Sequence, residues 1–496
     1  MINTRANSDL ANTAVLAVPV LIVSYLVYRW FGFEFILGNG PLLIGVGLFI
    51  LALRLRYWWP AAFLLVQVSF QPFIISHLGL WGNFLTVAAV AAFLSRQSPG
   101  NLPRALLGTS TQRLMALFLV GTLLSMLWAD QDFSTWLDLF QKITLFFVVA
   151  VVVDGFGRGA RITTLAWLAI GSITVLYLLS ELEFYLGGFP LPGLTDTSAL
   201  GLSGSAEASD AVTARLYAVG ALYTPNRFAF LSILPISLAI GVIVAHRIRP
   251  IALLAAAACL VMGFGILLSG SRAATLGALA STGTILLVIG HGQKRLRLGG
   301  FAIAAVLAAL GILQFLPTGL TAYDRLIGAV PEWTQSAGVE VDEERRDLWR
   351  LGLTLFQENP ISGVGLRRFG AESVTRLGYE RRGDPHSAYV QVLAETGLLG
   401  TVPFAVLLGY VGWILLRNRK TLPMHLIVWK AAFAGAFFGM LVYSIFGTAQ
   451  YARFFWIPVA FAALLELQER RDADQNKAVS PRGVSSAQSE WTGRKA

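Results

Sequence analysis

Charged residues are scarce in this chain of 496 residues. Only 13% of the residues are Asp, Glu, Lys or Arg, whereas a soluble domain carries about 25%. Hydrophobic residues make up 55% of the chain, and apolar runs of about 20 residues, the length that crosses lipid, recur up to residue 467. Such runs satisfy their backbone hydrogen bonds internally when they form helices. The lack of charge therefore excludes a soluble protein and predicts an integral membrane protein.

Cysteine is almost absent as well. Cys259 stands alone inside an apolar run, which excludes an intrachain disulfide and any site built on several thiolates. Gly-rich phosphate loops and the His-Glu-x-x-His zinc motif are also missing. The net charge of +10 comes largely from Lys and Arg in short loops between apolar runs, as the positive-inside rule requires. We therefore expect no nucleic-acid partner, no metal and no cofactor.

The hydropathy pattern predicts an all-α, polytopic membrane protein with about 12–14 transmembrane helices and a large loop, on the side opposite the cytoplasm, that contains short helices. Residues 1–181 would hold the N-terminal transmembrane helices, residues 182–470 a second membrane region that carries two long loops, and residues 471–496 a disordered cytoplasmic tail. The predicted spans are 11–28, 35–53, 57–75, 79–95, 114–129, 143–157, 164–181, 228–246, 251–269, 273–290, 299–317, 395–416, 427–447 and 453–469.

Basic residues recur in alternate loops, which predicts that these loops face the cytoplasm. They include Arg54, Arg56, Arg96, Arg104, Arg113, Arg158, Arg161, Arg247, Arg249, Lys294, Arg295, Arg297, Arg417, Arg419 and Lys420. Two long loops, at about 182–226 and 317–388, then lie on the side opposite the cytoplasm. Within the second loop, residues 341–356 have apolar positions at helical spacing, which predicts an amphipathic helix that ends at Asn359-Pro360.

A histidine ends the second long loop, in the segment Asp384-Pro385-His386-Ser387. An imidazole titrates near neutral pH, so it can act as a base, an acid or a hydrogen-bond donor. The alternative is an interfacial histidine that caps the next helix.

Two arginines lie on the same predicted side as His386. Arg272 occupies a very tight turn between two apolar runs, and Arg227 opens another span. Charges at such positions are costly and usually mark a site or an ion pair. Two guanidinium groups can clamp a diphosphate, because their forked geometry matches phosphate oxygens. The alternative is that each arginine anchors its helix at the lipid headgroups.

Four segments of the C-terminal half resemble the superfamily of O-antigen ligases and O-antigen polymerases, which are bacterial membrane glycosyltransferases. The resemblance covers about residues 220–450, and the N-terminal half is similar only in being hydrophobic. The four segments are an Asn-Arg pair at 226–227, a Ser-Arg-x-x-x-Leu turn at 271–276, a Glu-Arg…Leu-Trp…Asn-Pro-Ile-Ser-Gly-Val-Gly helix and turn at 344–365, and His-Ser-x9-Gly-x-x-Gly-Thr at 386–401.

The resemblance implies a metal-independent, inverting glycosyltransferase at the periplasmic face of the bacterial inner membrane. His386 would be the catalytic base or would orient the acceptor, and Arg227 and Arg272 would bind the substrate diphosphate. Residues that would support them are Asn226, Ser271, Ser387, Arg367 and Arg368.

The resemblance also implies the partners: membrane lipids, a glycan carried on undecaprenyl diphosphate, and an acceptor that is lipid A core or another sugar. The His-Ser segment fits the ligase pattern closely, but a polymerase of O-antigen or exopolysaccharide shares much of it, so both remain open. A polysaccharide transporter or flippase is the alternative of a different class. That alternative needs a continuous polar path, and few charges lie deep in the apolar runs.

Overall fold

The computed structural model describes residues 89–128 (except 91, 92 and 96), 133–157, 162–186, 225–246, 250–269, 271–289, 333–379, 383–417 and 424–479. Outside the described residues lie the predicted spans 11–28, 35–53, 57–75 and 299–317, most of the span 79–95, most of the loop 182–226 and residues 480–496. Every regular element in the described part is a helix. The all-α prediction is therefore confirmed.

The described residues form a series of α-helices along the chain. They are α1 (Leu102–Leu107), α2 (Ser110–Ser125), α3 (Phe133–Gly157), α4 (Ile162–Leu186), α5 (Pro225–Leu231), α6 (Ile233–His246), α7 (Pro250–Leu268), α8 (Arg272–Ile289), α9 (Trp333–Glu358), α10 (Arg368–Leu377), α11 (Ala388–Leu416), α12 (Met424–Tyr443) and α13 (Arg453–Val479). Short 3₁₀ turns cover Met126–Trp128 and Ala449–Tyr451.

Five segments of the described residues are long and apolar enough to cross a membrane. They are Ser110–Trp128, Asn226–Val244, Arg272–Ile289, Ala388–Leu416 and Leu426–Tyr443. Shorter apolar segments cover Ile162–Leu178 and Pro250–Ile266. A polytopic membrane protein is therefore confirmed, while the predicted total of spans depends on segments outside the described residues.

Small residues allow the central helices to approach closely. A Cβ atom on Gly277 of α8 would lie 2.8 Å from the carbonyl oxygen of Gly439 on α12, and a Cβ atom on Gly435 would lie 2.8 Å from that of Ser281. Ser281 also shares a hydrogen bond of 2.6 Å with Ser237 of α6. In lipid, where hydrophobicity does not drive helices together, such close packing and interhelical hydrogen bonds hold a bundle. These contacts fix α6, α8 and α12 as its centre.

Three helix boundaries differ from the predictions. The amphipathic helix begins at Trp333, earlier than predicted, because no proline interrupts the chain between Pro331 and Pro360. The span predicted from residue 395 begins at Ala388, because Ser387 caps the helix there. The last helix continues to Val479, into the tail predicted to be disordered from residue 471. Extending a formed helix is inexpensive when the added residues include good helix formers such as Ala, Gln and Lys.

The two ends of the bundle are distinguished by their contacts. At one end, the Glu466 carboxylate of α13 accepts hydrogen bonds from the first backbone amides of α2, those of Ser110 at 2.8 Å and Thr111 at 3.0 Å. Arg417, at the C-terminus of α11, pairs with Glu469 at the same end. The N-terminus of α11 lies at the opposite end, which we call the His386 end. Arg417 and the first turn of α2, with Arg113, thus share the end far from His386.

Candidate active site

The first residues of α5, α8 and α11 meet at the His386 end. The Ser271 hydroxyl, before α8, donates a hydrogen bond of 2.8 Å to the Asn226 side chain in α5. The Tyr443 hydroxyl, at the end of α12, donates to the Asn226 carbonyl at 2.9 Å. The Ala388 amide that opens α11 donates to the Ser444 carbonyl at 2.9 Å. Positions more than 200 residues apart in sequence, such as Asn226 and Tyr443, are therefore neighbours.

This arrangement concentrates positive charge at one end of the bundle. Unpaired N–H groups at a helix N-terminus carry a partial positive charge that favours anions. Arg272 is the first residue of α8, and Arg227 follows Asn226 in α5; both side chains are exposed at the surface. The hydrogen bond between Asn226 and Ser271 couples the two arginine-bearing helix starts. The site is therefore suited to bind a polyanion.

His386 has a backbone conformation that residues other than glycine rarely adopt. Its φ angle is +49°, in the left-handed region, where a residue other than glycine is uncommon. Its amide donates a hydrogen bond of 2.9 Å to the Asp384 carboxylate, whose other oxygen accepts one of 3.2 Å from the Thr448 hydroxyl. The Trp349 indole of α9 donates to the Pro385 carbonyl at 2.9 Å. These bonds hold the strained backbone, as is common at functional sites.

The surroundings of the imidazole favour its neutral form. Burial is the main cause that lowers the pKa of His386 below its usual value, because a charged imidazolium loses hydration. Among the neighbouring charges, Asp384 opposes this shift and Arg345 adds to it. Weaker effects come from Glu344, which raises the pKa, and from Arg227, which lowers it. A neutral imidazole at pH 7 can accept a proton.

Helix α9 packs against the N-terminal part of α11. Its apolar face, formed by Leu348, Leu351 and Leu355, shares a small buried cluster with Phe369 and Ala394. Trp349 also stacks against Phe446, with 6.4 Å between the ring centroids. The predicted amphipathic helix therefore forms part of the wall around His386.

The turn at 360–365 docks onto a break in α11. Gly397 lies inside this helix at φ 54° and ψ −152°, a conformation that essentially only glycine adopts. The amides of Leu398 and Leu399 consequently turn outward and donate to the carbonyls of Pro360 at 2.8 Å and Ile361 at 3.1 Å. In return, the Gly365 amide donates to the Glu395 carbonyl at 2.9 Å. The Asn-Pro-Ile-Ser-Gly-Val-Gly and Gly-x-x-Gly motifs are thus two halves of one contact.

A buried polar cluster lies directly below this contact. The Glu395 side chain is only 1% exposed, and its carboxylate accepts hydrogen bonds of 3.3 Å from Gln391 and from the Tyr451 hydroxyl. Gln450 donates to Gln391 at 2.9 Å. The Lys142 ammonium of α3 lies 4.4 Å from the centre of the Tyr451 ring. The cluster ties the first turns of α11 to α3 and to the 3₁₀ turn at Ala449–Tyr451.

Several residues from the sequence prediction have other surroundings. The Ser387 hydroxyl caps α11 and accepts the Val390 amide at 3.5 Å. Arg367 precedes α10, with a φ of +59°. Leu366, next to it, packs against Met126 and Leu139, and its carbonyl accepts a hydrogen bond from Thr135 of α3. Arg367 therefore precedes α10 and Arg368 begins it, beside α3.

Sequence reasoning missed four residues that surround His386. Asp384 carries a recognisable signal, because Asp commonly accepts a hydrogen bond from the backbone two residues on. Arg345 and Trp349 belong to the Glu-Arg…Leu-Trp motif, but neither that motif nor the sequence around Tyr443 indicates contact with the His386 region, since each residue acts on a segment far away in the sequence. In the part of the chain that the structure describes, no group of three or more His, Cys, Asp or Glu side chains is arranged to hold a metal ion.

The fold and the site define a polytopic, all-α membrane protein with a cationic, histidine-containing site at one end of its helix bundle. Residues 257–405 match the family model of the O-antigen ligases, which confirms the resemblance found in the sequence. This region includes Arg272, Arg345 and His386, whereas Asn226 and Arg227 lie outside it. The match supports an enzyme with a function of the O-antigen ligase or polymerase type. No curated protein matches the chain.

Proposed function

We propose that the protein is an O-antigen ligase-like, inverting glycosyltransferase at the periplasmic face of the bacterial inner membrane. It would move a glycan from undecaprenyl diphosphate to a hydroxyl group of lipid A core or of another sugar. One observation carries the proposal: His386, whose pKa is lowered by burial, lies at the end of the bundle where Arg227, Arg272 and the starts of α8 and α11 gather.

In the proposed reaction, the imidazole of His386 takes the proton from the acceptor hydroxyl. The hydroxyl oxygen attacks the anomeric carbon from the face opposite the diphosphate, and the bond between that carbon and the diphosphate oxygen breaks. A positioned base of this kind contributes about 10²–10⁴-fold to a rate. The reaction inverts the anomeric configuration, because attack and departure occur on opposite faces.

The leaving diphosphate gains negative charge as this bond breaks. Arg227, Arg272 and the N-terminus of α8 supply donors that are already in place before the reaction, so they stabilise that charge without reorganisation. We propose that these groups take the role that a divalent cation has in other enzymes. The expected result is that transfer from a purified lipid-linked glycan continues in excess EDTA, and complete loss of activity that Mg²⁺ restores would contradict this part of the proposal.

The roles of His386 and Arg272 can be tested with His386→Ala and Arg272→Ala. Both variants should reach the membrane at normal levels and lose glycan transfer, because each removes a group that acts on the reacting atoms or on the diphosphate. Arg113→Ala is the matched control, since Arg113 lies at the opposite end of the bundle. Full transfer by either site variant would refute the proposal.

The acceptor can be identified by deleting the gene and analysing the surface polysaccharide. A ligase predicts free lipid A core together with intact, long lipid-linked chains. A polymerase predicts single repeats on the core, or the loss of a secreted polymer. Unchanged transfer of lipid-linked glycan in isolated membranes, combined with its accumulation on the cytoplasmic leaflet, would instead indicate a flippase.

The proposed orientation can be tested by cysteine labelling after Cys259→Ala. A thiol introduced by Arg350→Cys in α9, where the native side chain is exposed, should react with a membrane-impermeant maleimide added from the periplasm. A thiol introduced by Arg113→Cys should react only after the membrane is opened. The reverse pattern would mean that the His386 end faces the cytoplasm.

A further inference from the structure

Two adjacent arginines of α9 have the same charge and different surroundings. Arg346 is exposed, whereas Arg345 is half-buried. The Nε atom of Arg345 is buried and has no hydrogen-bond partner among the described residues. A buried donor without an acceptor is costly, the more so on a charged group. A ligand that supplies an acceptor would therefore stabilise the Arg345 side chain in this position.

The face of α9 that carries Arg345 is turned towards His386. Arg345 lies four residues before Trp349, so the two side chains share one face of the helix. Trp349 donates its hydrogen bond to the Pro385 carbonyl, the residue directly before His386. It also stacks on Phe446, beyond the end of α12. Trp349 thus fixes the rotation of α9, and with it the direction of Arg345.

Arg345 and Arg227 act on the same groups from two different helices. Both guanidinium charges lower the pKa of His386, and both act electrostatically on the Tyr443 hydroxyl, which is bonded to the Asn226 carbonyl. The two arginines therefore both lie near the imidazole, Arg227 on α5 and Arg345 on α9.

The neighbouring carboxylates do not neutralise this pair directly. Glu344 and Asp384 act on His386 from a distance, and Asp384 is engaged with the His386 amide and the Thr448 hydroxyl. The exposed arginines of the same region do have partners, as Arg350 pairs with Asp347 and Arg376 with Glu358. Arg345 differs from them in being held half-buried at the site with an unused donor.

We propose that Arg345 is a further phosphate-binding residue of this site, which holds the diphosphate of the lipid-linked donor together with Arg227. This inference rests on the proposed function and adds a residue and a geometry to it. Arg345 would bind phosphate oxygens from α9, while Arg227 and Arg272 would bind them from the starts of α5 and α8. A guanidinium fork binds phosphate oxygens in pairs, which a lysine ammonium cannot do.

If Arg345 binds phosphate, its loss should weaken the binding of a lipid diphosphate more than the binding of a lipid monophosphate. Loss of Arg345 removes the contacts to one phosphate of a diphosphate lipid, and hydrogen bonds of charged groups correspond to roughly 10-fold to 100-fold in affinity. A lipid with one phosphate needs only one of the two arginines, so its affinity should change several-fold less. Arg345→Lys keeps the charge and should retain part of the diphosphate affinity.

The test uses the full-length protein in nanodiscs of phosphatidylcholine. Binding of undecaprenyl diphosphate and of undecaprenyl monophosphate is measured for the wild type, Arg345→Ala, Arg345→Lys and Arg346→Ala, with thermal unfolding as the check of folding. The expected result is a roughly 10-fold to 100-fold loss of diphosphate affinity in Arg345→Ala, an intermediate loss in Arg345→Lys, and wild-type affinity in Arg346→Ala. Equal affinities of Arg345→Ala and Arg346→Ala for the diphosphate would overturn the inference.

A second set of nanodiscs, containing phosphatidylglycerol, distinguishes the lipid donor from an anionic headgroup. Undecaprenyl diphosphate should bind with nearly the same affinity in both lipids. If phosphatidylglycerol abolishes its binding, Arg345 belongs to a general headgroup site and the inference is overturned.

Glycan transfer by the His386→Ala variant distinguishes a failure of the role of Arg345 from a failure of the proposed function. If His386→Ala is inactive while Arg345→Ala binds the diphosphate normally, only the role of Arg345 fails. If His386→Ala transfers glycan at the wild-type rate, the proposed function fails, whatever Arg345 binds.

Discussion

Gly397 lies at a break in α11, and we expect Gly397→Ala to destabilise the folded protein. The backbone there has φ 54° and ψ −152°, and a residue with a side chain pays about 1–3 kcal/mol to adopt such a conformation. An added Cβ atom would also lie 2.5 Å from the Gly363 nitrogen and 2.5 Å from the Ile361 oxygen. Both neighbours are backbone atoms, so the docked turn at 360–365 must move away.

The size of the effect follows from the bonds that this movement breaks. The Leu398 and Leu399 amides lose the Pro360 and Ile361 carbonyls, at a net cost of about 0.5–1.5 kcal/mol for each hydrogen bond. Together with the backbone strain, we expect Gly397→Ala to lower the free energy of unfolding by about 2–6 kcal/mol. Glycan transfer should fall as well, because the same turn leads from α9 towards the start of α11.

Gly409→Ala is the matched control on the same helix. A Cβ atom at Gly409 would meet nothing within 4 Å, and alanine in a helix interior is more favourable than glycine by up to about 1 kcal/mol. Thermal unfolding of the detergent-solubilised protein, followed by tryptophan fluorescence, compares the two variants. Equal unfolding temperatures for Gly397→Ala and Gly409→Ala would show that the break in α11 does not depend on glycine.

Three further predictions concern charged groups. Burial lowers the pKa of His386, and the Asp384 carboxylate partly opposes this shift. The acid limb of the profile of transfer rate against pH should therefore lie below the usual histidine pKa of about 6.5. In Asp384→Asn it should move to still lower pH, and a shift to higher pH would contradict this. Glu395→Ala leaves buried donors unsatisfied and should cost about 1–3 kcal/mol in the same unfolding assay, so an unchanged unfolding temperature would contradict it. Arg376→Gln breaks surface ion pairs with Glu358 and Glu372 and should leave the unfolding temperature nearly unchanged. A clear fall in that temperature would mean that these pairs are more than surface contacts.

Much of the membrane architecture could be predicted from the sequence. The length and apolar character of a span are properties of a single segment, so α7 and α8 were predicted to within one residue of Pro250–Leu268 and Arg272–Ile289. The sequence also placed His386 at the end of a long loop, before an apolar span. Predictions were weaker where composition was ambiguous, as in the mixed-charge segments at the start of α9 and the end of α13.

The sequence by itself determined that this is an all-α membrane protein, that Arg227 and Arg272 lie at the starts of apolar spans and His386 at the end of a long loop, and which superfamily its C-terminal half resembles. These are local properties of hydropathy, charge and motif. Only the tertiary structure decided that Asn226 meets Ser271, that the 360–365 turn docks at Gly397, and that Arg345 faces His386 while Arg346 does not. The physical reason is that each of these contacts joins segments far apart in the chain, and their choice depends on how the helices pack and rotate against one another.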